Sequence, residues 1–189
     1  MRRGNADDNQ LVIEILEKAF DDNKSVNYVV KQDQKRRERI KGLMDYSFNV
    51  CNAFGEVWIS DDQQACALIL HPDQKRTSLR TLIWDLKLAL SVIGIDRVGE
   101  VLKRESMIKS NHPKQPFSYL WFIGVNPQRQ NKGIGSAFIQ DVINECERKK
   151  RPIYLETSME KNLPFYKKFG FEIFHSLDLS YTLYHLRKV

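Results

Sequence analysis

Two glycines set two apart, Gly133 and Gly135 in the stretch RQNKGIGSAF (residues 129–138), follow a hydrophobic run and precede an amphipathic one. Glycine offers backbone without a Cβ. The first N–H groups of a helix are unpaired and lie at the positive end of its dipole. A strand, a glycine turn and a helix in that order therefore suit a bound anion, phosphate above all. Two familiar phosphate motifs are excluded by residue type. A dinucleotide fingerprint needs a third glycine where Phe138 stands, and a P-loop needs Lys after its last glycine, whereas Lys132 precedes Gly133. Taken alone, the spacing is equally that of an ordinary tight turn.

The elements that must hold this turn follow from periodicity. FSYLWFIGV (117–125) reads as a strand ended by Asn126–Pro127, and Gly124 inside it suggests a bulge. After the turn, Ile139, Val142, Ile143 and Cys146 recur at helical spacing, and PIYLETS (152–158) reads as a strand. NLPFYKKFGF (162–171) is a short helix closed by Gly170, and two final runs read as strands. Toward the N-terminus, Val12, Ile15, Leu16 and Ala19 mark one helix and Ile40, Leu43, Met44, Phe48 and Cys51 another. EVWIS (56–60) and ACALIL (65–70) read as a hairpin. The basic cluster at 35–39 contains Glu38 and reads as the solvated start of a helix.

Between this hairpin and the 117–125 strand, the spacing predicts a helical insertion from Ser78 to about Ser110. Its main apolar stripe is Leu79, Leu82, Ile83, Leu86, Leu90 and Ile93, while Trp84, Leu88 and Val92 form a second apolar face. A helix apolar on two faces is buried on two sides. One side is expected on the domain core, the other as a lid on an acceptor pocket or against a partner subunit, the alternative being a helix buried entirely within a larger core. Arg80, Asp85 and Lys87 make this window too costly for lipid, so no membrane association is expected.

Gln130-Asn131-Lys132-Gly133-Ile134-Gly135 fits the pattern [Gln/Arg]-x-x-Gly-x-[Gly/Ala] and resembles motif A of the GNAT acetyltransferase superfamily. The strand ending IGVNP before it, and NLPFYKKFGF with Asn162 and Tyr166 four apart, are similar to the neighbouring family motifs. The resemblance spans about Phe117 to Phe174. It implies an α/β (α+β) fold with a central mixed, mostly antiparallel sheet flanked by helices, and a helical insertion between strands 3 and 4. One domain then covers residues 1–189. The family's opening strand is weak here, since MRRGNA is short.

The same resemblance implies acetyl-CoA as co-substrate. Its pyrophosphate is expected on Gln130, Asn131, Lys132, Gly133, Ile134, Gly135 and Ser136, its arm beside Ile123, Val125 and Asn162. Acetyl transfer to an amine needs a neutral nucleophile, an oxyanion donor and a proton for the leaving thiolate. The resemblance puts the Tyr166 hydroxyl near the CoA sulfur, as the proton donor, against the alternative of a core aromatic beside Phe165 and Phe169. A backbone N–H near Ile123 to Val125 is expected to serve the oxyanion. Glu156, mid-strand on the face of Tyr154 and Ser158, is a candidate base through water or a structural acceptor. His175 and His185 remain alternatives, and His71 and His112, each before proline, read as loop residues.

Bulk composition bounds the rest. The chain has 189 residues, 42% hydrophobic, with a net charge of +6, which fits one domain and an anionic partner. The aromatics are not interleaved with Lys/Arg in a recognised module, so nucleic-acid binding is not expected. Three separated cysteines predict neither a disulfide framework nor a metal, and fit a reducing, cytoplasmic setting. MRRGNADDNQ has no apolar core of a signal peptide. The expected acceptor is a small-molecule or peptide amine, and the expected assembly a monomer or homodimer. A non-catalytic acyl-CoA sensor or scaffold is the alternative.

Overall fold

The computed structural model describes all 189 residues. In chain order the elements are β1 (Arg2–Arg3), α1 (Asn9–Ala19), α2 (Lys24–Val29), α3 (Arg36–Phe54), β2 (Gly55–Ile59), β3 (Ala65–Leu70), α4 (Leu79–Leu88), α5 (Val98–Lys109), β4 (Ser118–Val125), α6 (Ile134–Arg148), β5 (Ile153–Thr157), α7 (Leu163–Lys168), β6 (Glu172–Asp178) and β7 (Thr182–Lys188). The strands form one sheet in the order β1-β2-β3-β4-β5-β7-β6. Every neighbouring pair is antiparallel except β4 and β5.

Helices cover both faces of the sheet. On one, Cys66, Leu68 and Leu70 of β3 share a core with Leu16 of α1 and Ile40, Met44 and Phe48 of α3. On the other, Ala65, Ala67 and Ile69 pack with Phe138, Ile139, Val142 and Ile143 of α6 and Tyr166 of α7. Strand β3 is buried along its whole length, which is why ACALIL shows no polar alternation. The three cysteines are buried and unpaired. No helix is long and apolar enough to cross a membrane.

One open point is resolved and three details differ from expectation. The short opening strand exists: Arg2 pairs with Ile59 and Arg3 with Trp58. The bulge in β4 falls at Trp121, not Gly124, because Leu68 pairs with Phe122 and the next residue, Ile69, with Leu120. Gly124 has another reason to lack a side chain. A Cβ there would come within 2.9 Å of Leu16 Cδ2 and 3.1 Å of Ala19 Cβ, so α1 lies against bare backbone. A short helix not anticipated, α2, is capped by the Asn23 side chain, which accepts from the Val26 N–H.

The insertion is the largest difference. It is two helices, broken by a π-turn at Ala89–Ile93 and by Gly94. The structure also settles which apolar face meets the core. Val92 is buried, and Trp84 and Leu88 pack on the core with α3. From Leu79 through Leu90 the main stripe is exposed, with Leu79 at 76% and Leu86 at 59%; only Ile93 at its end is buried. Two equally apolar faces leave period alone unable to choose which one meets the body of the protein.

Candidate active site

The turn after β4 has the predicted anion geometry. Gly133 has φ +79°, and a Cβ on it would meet nothing within 4 Å. The amides of Asn131, Lys132, Gly133, Ile134 and Gly135 donate to no backbone or side-chain acceptor, and the first bonds of α6 come from Ser136 and Ala137 to the Gly133 carbonyl. These consecutive free donors lie at the N-terminus of a 15-residue helix. Arg129 and Lys132 are exposed beside them. Gly135 packs closely, its Cβ position 3.3 Å from Val125 Cγ2. The Gln130 side chain turns back and donates to the Val125 carbonyl at 3.4 Å.

From this turn β4 runs back along an open edge. It pairs with β5 only through Ser118–Ile153 and Tyr119–Tyr154. Beyond Tyr119 the two strands separate, and the β5-facing edge of β4 carries no ladder. The splayed part, Leu120 to Val125, extends about 17 Å at ordinary strand rise. The Trp121 bulge resets its side-chain alternation. Tyr119, Trp121 and Phe122 all face α1 and α3, whereas Leu120, Ile123 and Val125 face α6.

Tyr166 lies on the α6 side, packed edge-on with Phe165 and Phe171 at 5.6 and 5.7 Å. Its hydroxyl has no hydrogen-bond partner and is not among the sealed polar atoms. Burial pushes its pKa up to about 12, so the phenol keeps its proton at neutral pH. Asn162 precedes α7 but makes no side-chain cap, so it does not hold the helix start in that way.

Glu156 lies on the opposite face, with a side chain 7% exposed. Tyr119 Oη donates to Oε2 at 2.5 Å, and His112 Nε2 lies 2.9 Å from Oε1. His185 Nδ1 is 3.5 Å from the same Oε1, within ion-pair reach but without hydrogen-bond alignment. Burial, and then the neighbouring Glu156 charge, raise the Tyr119 pKa well above its usual value, so this phenol stays a donor. His185 is fully buried with neither ring nitrogen partnered, and burial lowers its pKa despite Glu156. It is sealed from any substrate. His175 lies exposed on β6, its ring 5.4 Å from that of His185.

The carboxylate was legible in the sequence; its partners were not. His112 reads as a loop residue because it is one, in the segment joining α5 to β4. Only the fold brings it to a strand 44 residues away. Tyr119 is hidden for a related reason, since the bulge two residues later masks which face it takes. A further group missed is Arg104 of α5, 5% exposed, which donates to Tyr181 Oη at 2.8 Å and to Ser25 Oγ, tying the insertion to the β6–β7 turn and to α2. His71 lies apart from all of this, buried 3.4 Å from Glu56 of β2. No group of three or more His, Cys, Asp or Glu side chains is arranged to hold a metal ion.

Comparison with known proteins bears on this arrangement. The profile described as "Acetyltransferase (GNAT) domain" matches residues 91–173, from the insertion to the start of β6. An uncharacterized N-acetyltransferase of Schizosaccharomyces pombe is 33% identical over 106 residues, 54% of this chain and 43% of that protein. The chain thus spans less than half the length of this curated relative. Among solved structures, a Corynebacterium glutamicum protein described as histone acetyltransferase HPA2 and related acetyltransferase superposes with a TM-score of 0.69 at 17% identity, over 99% of this chain and 93% of that one. The C-terminal condensation domain of Ebony, in complex with beta-alanyl-dopamine, gives 0.68 at 11% identity, over 99% and 96%. At these identities the likeness is one of fold.

Proposed function

We infer that this chain is an acetyltransferase of the GNAT superfamily and moves the acetyl group of acetyl-CoA to a primary amine by direct attack on the thioester. The observation that carries the reading is the run of unpaired amides from Asn131 to Gly135 at the end of a splayed strand. They fit a pyrophosphate, with Lys132 and Ser136 beside them. The open edge of β4, including Ile123 and Val125, fits an extended pantetheine arm and offers backbone N–H groups to an oxyanion. Asn162 borders this arm at the entry to α7.

At the inner end of the splay the two faces divide the work. Tyr166 serves the leaving sulfur. Full transfer from a phenol near 12 to a thiolate whose acid is near 8.5 is uphill by roughly three pKa units. Tyr166 therefore acts mainly by hydrogen-bonding the forming thiolate, and the thiolate is protonated by solvent on release. On the opposite face Glu156 supplies the negative charge that draws the proton from the attacking nitrogen. The acceptor is a small molecule or a peptide terminus bearing such an amine.

The test is thiol release from acetyl-CoA with a panel of alkylamines, arylalkylamines, polyamines and peptide N-termini. The protein's own cysteines are buried, so they add little background. Release that depends on added amine is expected. Tight CoA binding by calorimetry, with release no faster than hydrolysis for every amine class, would instead favour a sensor or scaffold.

A further inference from the structure

We propose that His112 is the proton acceptor for the attacking amine and that Glu156 is the residue that positions it, an assignment that rests on the acyl-transfer reading above. Glu156 is badly placed to meet an amine itself. Its side chain is 7% exposed, one oxygen takes the Tyr119 hydroxyl at 2.5 Å, and the other lies 2.9 Å from His112 Nε2. A carboxylate only accepts, so the hydrogen of that second contact belongs to the imidazole. This fixes the neutral tautomer with Nε2 protonated and leaves Nδ1 as a free lone pair.

Nδ1 of His112 has no partner within the protein. It is also absent from the sealed, unpaired nitrogens, which include Nδ1 of His71 and both ring nitrogens of His185. The imidazole side chain is 12% exposed, so an open nitrogen sits on an otherwise clamped ring. The clamp is aromatic: Phe117 and Tyr119 hold the ring at centroid distances of 5.2 and 5.0 Å. Tyr119 is also the last β4 residue paired with β5, so the dyad stands where the splay begins, on the face away from Tyr166. The charged and titratable groups around it come from every neighbouring element: Glu156 on β5, Tyr119 on β4, His185 on β7, His175 on β6, and Arg104 and Glu105 on α5.

The step balances without another reactant. The neutral amine nitrogen bonds to the thioester carbon, and its surplus proton passes to Nδ1 directly or through one water. Glu156 stabilises the imidazolium formed. The C–S bond breaks, the thiolate is hydrogen-bonded by Tyr166, and His112 returns its proton to solvent.

Three measurements decide the assignment. The first is the histidine tautomer by ¹⁵N-edited NMR on the wild-type protein, which is expected to show Nε2–H and an unprotonated Nδ1 at His112. An Nδ1–H tautomer would overturn the proposal whether or not an acceptor is known. The second is His112→Ala with the best amine of the panel, expected to lower kcat/KM by roughly 10²- to 10⁴-fold with unchanged acetyl-CoA affinity. Added imidazole should restore part of the rate. A folded variant within about threefold of wild type would overturn the assignment; if it does not fold, His112→Gln replaces it. The third is the pH profile: once kcat/KM is expressed per neutral amine, the acidic limb that remains in the wild type should be lost in His112→Gln, which a merely structural histidine would leave in place. If the wild type acylates no amine while the tautomer is as expected, the acyl-transfer reading itself falls, and the role falls with it. A wild type that is active beside an equally active His112→Ala removes only the assignment.

Discussion

In the proposed acetyl-CoA site Gly133 would act through its backbone angle and Gly135 through its size, and the two should fail differently. At φ +79° a β-branched residue is strained, whereas asparagine tolerates that region, as Asn131 already does at φ 62°. Gly133→Val should weaken acetyl-CoA binding by more than about tenfold and Gly133→Asn by much less, read by calorimetry. Gly135→Val meets Val125 and should disturb the same site by displacing β4. Tyr166→Phe should lower kcat by roughly 10- to 10⁴-fold and leave acetyl-CoA affinity unchanged, and an unchanged kcat would remove its role at the sulfur. Far from the site, Glu56 offers a pH test. Burial opposes its charge, but hydrogen bonds from His71, Lys149 and Trp58 outweigh this and hold its pKa at about 2, below the ordinary 4.5. A lowered carboxylate pKa stabilises the fold above the unfolded value, and that stability is lost as pH falls toward the folded one. Glu56→Gln should therefore melt below wild type at pH 7, with a gap that closes between about pH 4.5 and 2. The glycine turn and the helix that carries Tyr166 were legible because their signal is local spacing. The Glu156–His112 pair was half legible, because one partner is set by tertiary folding alone.

At the scale of elements, every strand and long helix was present in the periodicity, the two-residue β1 included as a weak candidate. What periodicity could not give was the side of a doubly apolar helix. Core packing selects Trp84, Leu88 and Val92 of the insertion and leaves Leu79, Leu82, Ile83 and Leu86 outside. Trp84→Ala with Leu88→Ala should thus cost about 2–5 kcal/mol of stability, measured by thermal or denaturant melting. Leu82→Glu with Leu86→Glu should leave stability within about 1 kcal/mol, since exposed positions contribute little. The reverse ranking would put the Leu79–Leu90 stripe on the core instead. The β4 bulge was likewise misplaced at Gly124, because a glycine demanded by a close helix and one demanded by a bulge look alike in sequence.

Across the whole molecule, the sheet is two half-sheets, β1 to β4 and β5 to β7, and the two-pair contact between β4 and β5 is their only ladder. What else crosses is side-chain packing: one shared core joins Ala67 and Ile69 of β3 and Leu120 of β4 to Leu155 of β5, Tyr166 of α7 and Leu186 of β7, and ties such as Tyr119 to Glu156 and Arg104 to Tyr181 at 2.8 Å add to it. In calorimetric language the two halves are tied by few backbone hydrogen bonds, and their cooperativity rests on the shared side chains. The unliganded chain should give a transition whose van't Hoff enthalpy falls below its calorimetric enthalpy. If acetyl-CoA lies along β4 as proposed, it would touch both halves, and saturation should narrow the peak as well as raise Tm, by about 2.7 kcal/mol of linkage at a hundredfold excess over Kd. Equal enthalpies without ligand would mean that the helices alone already bind the halves into one cooperative body. Otherwise the proposed co-substrate would also serve as the missing rung, and the stability of the folded chain would follow the acetyl-CoA concentration around it.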